Sequence, residues 1–224
     1  PHPFLGRICP VIKAAVAPGC KAISLIKGIE FEDGAPKLIS SMIKENLDNM
    51  DVSVLMGANV ANEVAKDDFC EATIGCLDPE AVDTWKSVFN LPTFRITVVG
   101  DVAGVELCGA LKNVVALGAG FCDGLGWGGN TKAAIVRIGL GEMKAFCDLF
   151  FKGVLPGTFF ESCGVADLIT TCYGGRNRKC AEAYAKGAGT VSWDELEKDI
   201  LNGQKLQGTI TSKDVQVCLN AKEC

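Results

Sequence analysis

The 224-residue chain is long enough to bury a core in one large domain or two small ones, and 48% of its residues are hydrophobic. Its formal net charge of -5 excludes the basic excess of most nucleic-acid-binding proteins, so any anionic ligand must be held by a local cluster of cations. The only histidine is His2, which excludes most histidine triads and multi-histidine metal sites. We therefore expect lysine and carboxylate chemistry, with no metal and no nucleic acid.

The sequence carries no obvious targeting signal. No apolar run is expected to approach the length of a membrane span, and no segment resembles a signal peptide, which predicts a cytoplasmic protein without a membrane partner. The 12 cysteines include no CxxC pair. Four of them lie in apolar segments, where reduced cysteine packs as a small hydrophobe: Cys108, Cys122, Cys147 and Cys172. We predict reduced packing residues rather than a disulfide framework.

The first predicted strand lies within residues 20–28 (CKAISLIKG), a short apolar run with turn signals on both sides. Residues 1–4 (PHPF) look like the residues that follow a strand, which suggests a processed chain or a fragment. Lys27 falls at the carboxyl end of the predicted strand, the edge at which open parallel sheets bind ligands. The alternative is an ordinary solvated strand end.

Strand, turn and helix patterns then repeat. Residues 37–47 have helical spacing, and residues 52–58 (VSVLMGA) form a buried strand pattern that leads into a turn and a short helical pattern. Asp78 followed by Pro79 is typical of a helix start, and residues 94–99 form the next strand pattern. This succession predicts a parallel α/β sheet.

Strand signals largely stop after Asp101. The remainder has helical patterns, including residues 131–151 and a helix that Ser192 and Glu195 open with a capping box. The sequence therefore predicts an α/β domain in residues 1–100 and an all-α domain in residues 101–224.

The helix predicted around residues 105–115 is apolar on all sides and should be buried, yet Lys112 and Asn113 lie in its middle. No residue three or four positions from Lys112 offers it an ion pair, so a partner must come from elsewhere. A buried ammonium commonly has a lowered pKa, which makes Lys112 a candidate proton donor or acceptor. The alternative is a lysine whose stem lies on apolar surface while its head reaches solvent.

Residues 164–173 (GVADLITTCY) repeat this anomaly with Asp167 as the sole charge. Two isolated opposite charges compensate each other if their helices pack together, so Asp167 is the predicted partner of Lys112. The alternative is that Asp167 caps a helix.

Residues 174–179 (GGRNRK) follow immediately. Two glycines permit close backbone approach to a ligand, and amides at a helix start together with an arginine fork suit a phosphate. The alternative is a glycine-rich turn with a solvated basic face.

Together these segments closely resemble the NAD-dependent glycerol-3-phosphate dehydrogenases of the eukaryotic type. The resemblance covers nearly the whole chain through Gly208 and rests on long, specific motifs: SLIKG at 24–28, SVLMGANVANEVA at 53–65, CGALKNVVALGAGFCDGLG at 108–126, ESCGVADLITTCYGGRNRK at 161–179 and NGQKLQG at 202–208. It implies a cytosolic homodimer that interconverts dihydroxyacetone phosphate and glycerol 3-phosphate with NADH and NAD. It also implies that residues 1–100 belong to a Rossmann-type NAD-binding domain and residues 101–224 to a helical substrate domain.

The resemblance also implies roles for individual residues. The implied catalytic cluster is Lys112, as proton donor and acceptor, with Lys27, Asp167 and Thr171. The implied substrate-binding residues are Lys27, Arg176, Asn177 and Asn113. The implied NAD-binding residues are Phe4, Asn59, Ala61, Arg176, Lys205 and Gln207. Two lysines directed at a carbonyl oxygen suit this reaction, because hydride addition builds negative charge on that oxygen.

The sequence departs from the family in one major respect. No GxGxxG follows a strand, so residues 1–100 resemble only the later part of a nucleotide-binding domain, and the sequence after Gly208 resembles a truncated carboxyl-terminal part. One alternative is a non-enzymatic fragment or regulatory binding module that retains the phosphate-sugar pocket but cannot hold NAD. The other is a related dehydrogenase of the same two-domain build that acts on a different small substrate.

Overall fold

The computed structural model describes residues 4–32 and 34–222, so the expectations for Pro1, His2 and Pro3 lie outside the described residues. The strands are β1 (Ala22–Ser24), β2 (Glu30–Glu32), β3 (Ala35–Lys37), β4 (Val52–Met56), β5 (Cys70–Gly75) and β6 (Phe94–Val99). The helices are α1 (Leu5–Ala15), α2 (Ile39–Asn46), α3 (Ala61–Val64), α4 (Pro79–Phe89), α5 (Val102–Gly124), α6 (Gly129–Phe150), α7 (Asp167–Gly174), α8 (Arg176–Lys186), α9 (Trp193–Leu201) and α10 (Gln207–Ala221). A 3-10 turn at Pro156–Phe160 and a π turn at Ser162–Ala166 precede α7.

The main sheet has the strand order β1-β4-β5-β6. The pairs β1–β4 and β5–β6 are parallel, as the strand and helix repeat predicts. The central pair β4–β5 is antiparallel, with Val54 opposite Gly75. The connection between these two strands contains only the single-turn helix α3 rather than a full crossover helix, and β5 returns beside β4 in the opposite direction. The sheet is therefore mixed.

The predicted helix starts at Asp78 and Ser192 are confirmed. The Asp78 carboxylate accepts a hydrogen bond from the Glu80 amide at 2.9 Å, and Pro79 is the first residue of α4. Ser192 and Glu195 form the reciprocal capping box at the start of α9. The sequence interpretation missed α1, the strand β5 and the hairpin β2–β3, and it placed only turn signals where the hairpin lies.

From Val102 onwards, the described elements are all helices or helical turns, which confirms the predicted succession of an α/β part and an all-helical part. The central element is α5, which packs against α6, α7, α8 and α10 and against strands β4 and β5. By length and composition α5 could cross a membrane, contrary to the expectation that no apolar run approaches that length. However, 72% of its most apolar window is buried, as in the core helix of a globular protein. The division into domains at residue 100 stays a prediction.

Glu106 is a buried carboxylate of α5 that caps the start of α2. It is 1% exposed, and its Oε1 accepts hydrogen bonds from the amide of Ile39 at 2.5 Å and from the amide of Ser40 at 3.3 Å. The residue before α2 is Leu38, which has no side-chain acceptor to offer these amides. Burial raises the pKa of the Glu106 carboxyl to about 7, although the hydrogen bonds from Ser40 and Ile39 oppose this shift.

We predict that Glu106 makes the protein less stable as the pH rises from about 4.5 to about 7. In this window the folded state retains a proton that the unfolded chain has lost, so the free energy of unfolding falls with pH. The effect amounts to at most about 3 kcal/mol. Urea unfolding of the parent protein and of Glu106→Gln at about pH 5 and about pH 8 measures the contribution of Glu106 to the free energy of unfolding. A stability difference between the two proteins that does not change with pH would contradict the prediction.

Candidate active site

The predicted ion pair between Lys112 and Asp167 is present in the interior. The Lys112 ammonium donates a short hydrogen bond to Asp167 Oδ1 and a second one to the Thr171 hydroxyl at 2.8 Å. Lys112 is only 6% exposed and Asp167 only 3%, so the alternative of a lysine reaching solvent is wrong. Asp167 is the first residue of α7 and makes no side-chain cap, so the alternative of a helix cap is also wrong.

The π turn before α7 fixes the position of Asp167 relative to the sheet. The Ser162 hydroxyl donates to the carbonyl of Glu71 in β5 at 2.7 Å and accepts from the amide of Ala58 at 3.2 Å. The next residue, Cys163, donates its amide to the Thr73 hydroxyl at 3.1 Å. Side chains and backbone groups of the sheet therefore hold the turn that presents Asp167.

Lys27 reaches the same carboxylate from the sheet side. Strand β1 ends at Ser24, so Lys27 lies in the loop beyond the strand rather than in its last position. Its ammonium donates to Asp167 Oδ2 at 3.0 Å, to the carbonyl of Gly57 at 3.0 Å and to the Asn59 side chain at 3.5 Å. Its side chain remains 34% exposed. Asp167 thus bridges a buried lysine and a partly open one.

The environment of Lys112 favours its neutral form. Burial is the largest cause and lowers the pKa of Lys112 to about 8, and the positive charge of Lys27 acts in the same direction. The Asp167 carboxylate opposes both effects by stabilising the ammonium. A lysine with a pKa near 8 can both give and take a proton close to neutral pH.

A second polar group lies one residue along α5. Asn113 accepts a hydrogen bond from the Asn177 side chain at 3.0 Å, and the Asn177 oxygen accepts one from the Gly208 amide at 2.9 Å. Asn177 is 6% exposed, whereas its neighbour Arg176 points outward and donates to the Gln204 side chain. The first turn of α8 therefore presents free helix amides, a fixed amide side chain and an arginine fork, a suitable set for an anion.

Two of the residues predicted to bind NAD, Asn59 and Ala61, line one cavity of about 360 Å³. The predicted catalytic residue Lys27 also lines it, and its apolar walls include Leu25 and Phe94. This lining, with an amide side chain between apolar surfaces, fits a nucleotide ring.

The other predicted NAD-binding residues lie elsewhere. Phe4 is 44% exposed at the start of α1, with the Arg7 guanidinium 5.8 Å from its ring centre. Lys205 forms ion pairs with Asp194 at 2.9 Å and Glu197 at 2.6 Å. Gln207 is the first residue of α10.

Sequence reasoning missed several residues that hold the site together. The carbonyl of Gly57 binds Lys27, Gln204 binds Arg176, and Glu106 joins α5 to α2. These contacts join segments that are distant in the chain, so local patterns give no signal for them. The small residues of α5 did offer one signal, because glycines within a long helix usually have a packing reason.

Helices α5 and α8 approach each other closely through small residues. A Cβ atom at Gly120 would lie 2.3 Å from the carbonyl oxygen of Arg178 and 2.7 Å from the Cβ of Ala181. A Cβ atom at Gly124 would lie 2.5 Å from the carbonyl oxygen of Glu182. This contact sets the distance between Lys112 on α5 and the first turn of α8.

We predict that Gly120→Ala destabilises the protein by about 1–3 kcal/mol, because the added methyl group meets the backbone of α8. The matched control is Gly118→Ala on the same helix, where the nearest atom would be Ile135 Cγ2 at 3.4 Å. That control should be neutral or slightly stabilising, since alanine has the higher helix propensity. Thermal unfolding measures both variants. Equal midpoints for Gly120→Ala and the parent protein would show that the helices do not need this close approach.

The fold and site define an α/β protein with an all-helical second part, joined at a buried lysine–carboxylate–lysine cluster. The chain belongs to the NAD-dependent glycerol-3-phosphate dehydrogenase family. Residues 1–82 match the family model for the N-terminus of these enzymes, and residues 101–224 match the model for the C-terminus.

Two relatives illustrate the similarity. The chain is 56% identical to the cytoplasmic glycerol-3-phosphate dehydrogenase [NAD(+)] of Homo sapiens and to that of Rattus norvegicus. Each alignment covers 99% of this chain and 63% of the relative, so the chain spans less than two thirds of their length.

Solved structures of glycerol-3-phosphate dehydrogenases are also similar to this chain. The glycerol-3-phosphate dehydrogenase of Plasmodium falciparum matches with a TM-score of 0.94 and 44% identity, over 99% of this chain and 62% of that one. The enzyme from Saccharomyces cerevisiae matches with a TM-score of 0.92 and 45% identity, over 100% of this chain and 65% of that one.

Proposed function

We propose that this chain supplies the substrate-binding and proton-transfer groups of an NAD-dependent dehydrogenase that interconverts dihydroxyacetone phosphate and glycerol 3-phosphate. The observation that carries the proposal is the buried Lys112 ammonium, held by Asp167 and Thr171 and faced by Lys27. Family membership supports the substrate and the cofactor.

In the reduction, negative charge develops on the substrate carbonyl oxygen. Lys112 donates the proton to that oxygen, and Lys27 stabilises the developing charge from the sheet side. Asp167 orients both ammonium groups, while Thr171 accepts a hydrogen bond from Lys112 and fixes its direction. When bound, the nicotinamide supplies the hydride. In the oxidation, the neutral amine of Lys112 accepts the proton of the substrate hydroxyl.

The substrate phosphate is proposed to bind at the start of α8. Arg176 provides a fork of donors, and Asn177 is held in place by Asn113 and the Gly208 amide. For the cofactor we propose the following residues: Phe4, Asn59, Ala61, Arg176, Lys205 and Gln207. Residues 1–100 would then be the later part of a Rossmann-type NAD-binding domain.

We predict that the pH dependence of turnover reports the pKa of Lys112. Reduction needs the ammonium form, so its rate should fall as the pH rises through about 8, while oxidation needs the neutral amine and should rise over the same range. Initial rates at saturating substrate in both directions test this. Parallel pH profiles for the two directions would contradict the role of Lys112.

The substrate assignment is tested by comparing dihydroxyacetone phosphate with unphosphorylated dihydroxyacetone. If Arg176 and Asn177 bind the phosphate, kcat/KM should fall by at least about 1000-fold without it. Equal turnover of the two compounds would favour a related dehydrogenase with a different small substrate. By analogy with the relatives named as cytoplasmic, we also propose a cytoplasmic location. The family resemblance noted in the sequence implies a homodimer, which sedimentation would test.

The second candidate is a non-enzymatic binding module. It is favoured by the absence of a GxGxxG motif after any strand pattern of the 224 residues. Titration with NADH, followed by its fluorescence, separates the two candidates. Saturable binding supports the dehydrogenase, whereas dihydroxyacetone phosphate binding without NADH binding at about 1 mM supports the module.

A further inference from the structure

Three residues of α5 follow one another at intervals of three: Glu106, Gly109 and Lys112. Residues three apart are neighbours on a helix surface, so Gly109 is a neighbour of both Glu106 and Lys112. Lys112 belongs to the proposed reaction, whereas neither Glu106 nor Gly109 touches the ion-pair cluster through a hydrogen bond in the described part of the chain.

Glu106 fixes the segment between β1 and α2. Its carboxylate holds the amides of Ile39 and Ser40 at the start of α2, one residue after Leu38. Leu38 and Ile29 are both buried in the cluster that contains Val105 of α5. These two residues flank the base of the hairpin β2–β3, in which Glu30 pairs with Lys37. Both ends of the hairpin are thus buried in the same hydrophobic core as α5, and Glu106 holds the residues that follow its second end.

Lys27 enters this arrangement two residues before Ile29. Its stem passes over α5 at Gly109, where an added Cβ would lie 3.6 Å from Lys27 Cγ. The same Cβ would lie 2.7 Å from the sulfur of Met56, a fully buried residue of β4. An alanine at this position would therefore displace Met56, whose neighbour Gly57 holds the Lys27 ammonium through its carbonyl.

We propose that Glu106 and Gly109 are positioning residues for Lys27. The catalytic role of Lys27 itself rests on the proposed function. Glu106 anchors the start of α2, where the hairpin that follows Lys27 ends. Gly109 leaves room for Met56 beside the Gly57 carbonyl that holds Lys27. Neither residue contacts substrate in this scheme. Their effect passes through the ion pair between Lys27 and Asp167.

The test measures the position of Lys27 without relying on turnover. Acetic anhydride acetylates accessible neutral lysines, and mass spectrometry gives the rate at each site relative to the exposed Lys13. In Glu106→Ala, labelling of Lys27 should rise about fivefold, because its segment opens more often. Glu106→Gln keeps the size and one acceptor oxygen and should restore most of the protection. Gly109→Ala should raise labelling about twofold, because its methyl group displaces Met56 next to the Gly57 carbonyl that binds Lys27, while the helix is kept.

Glu197→Gln is the matched control. Glu197 is also a buried glutamate that accepts a hydrogen bond from a backbone amide, that of Leu206 at 2.9 Å, but it belongs to α9 and holds the residue before α10. Its substitution should leave Lys27 labelling unchanged. Unchanged labelling in folded Glu106→Ala and Gly109→Ala would overturn the proposal, as would an equal rise in Glu197→Gln. If Glu106→Ala does not fold, the labelling of Gly109→Ala decides.

Turnover provides a separate readout. Where the parent protein is active, Glu106→Ala and Gly109→Ala should lower kcat more than they raise KM, because Lys27 acts on charge that develops during the reaction. An inactive parent protein whose variants still show the labelling change would reject the proposed function and leave the positioning of Lys27 intact.

Discussion

Replacing Lys112 by alanine should lower turnover by at least about 1000-fold while the protein keeps its fold. The loss follows because the other nearby ammonium, Lys27, stabilises charge but lies on the sheet side of Asp167. The fold should survive because Asp167 keeps Lys27 as a partner at 3.0 Å, so no unpaired carboxylate is left in the interior. Removal of a buried ammonium also removes its desolvation cost. Steady-state kinetics and circular dichroism measure the two effects.

Lys112→Met is the matched control, because it retains the length and volume of the stem without the amine. It should be as inactive as Lys112→Ala and at least as stable, since it fills the space that alanine leaves empty. Turnover within about tenfold of the parent in either variant would end the assignment of Lys112 as the proton donor.

Replacing Asp167 by alanine should be the most destabilising of these changes. It leaves the ammonium groups of Lys112 and Lys27 near each other without the carboxylate that bridges them. Removing one partner of a buried ion pair typically costs about 3–5 kcal/mol. Turnover in the reduction should also fall at neutral pH, because the pKa of Lys112 drops further once Asp167 no longer stabilises its charged form.

The destabilisation in Asp167→Ala should depend on pH with a defined sign. Between the lowered pKa of Lys112 in the folded variant and its usual value of 10.5, the unfolded chain binds more protons than the folded one. Stability of the variant therefore rises as the pH increases through this window. Urea unfolding at about pH 7 and about pH 9.5 measures the change.

Asp167→Asn separates charge from shape, because the amide keeps the hydrogen-bonding oxygen and removes the negative charge. If charge dominates, Asp167→Asn should lose most of the stability that Asp167→Ala loses. A loss below about 1 kcal/mol in Asp167→Asn would show that hydrogen-bond geometry alone holds the lysines.

The sequence predicted the central ion pair because each charge stood alone in an apolar helix. Neither Lys112 nor Asp167 had a partner among its near neighbours, and an ion pair between them offsets the desolvation cost of burying both charges. The helix starts at Asp78 and Ser192 were predictable for a related reason, since capping acts within three residues. The local sequence was therefore sufficient in two cases. One was a charge with no possible partner among its near neighbours, and the other was a helix start whose capping residues lie within three positions of each other.

Contacts between distant segments were not predictable in this way. Strand β5 pairs antiparallel with β4 because the short connection between them reverses the direction of the chain. The residues of β5 also show no clear alternation of burial that would predict a strand. Glu106 caps a helix that begins 67 residues earlier in the chain, so neither segment alone reveals the contact. The cavity that Asn59 and Ala61 share with Phe94 likewise follows from tertiary packing rather than from motif spacing.

The π turn at Ser162–Ala166 has a mechanical consequence. Its hydrogen bonds to Glu71 and Thr73 make the start of α7 move with strand β5. Lys27 is bound to the carbonyl of Gly57, directly after the neighbouring strand β4. The carboxylate and the lysine that meets it from the sheet side therefore share one rigid support, and bending of the outer helices changes access to the cluster without stretching that salt bridge.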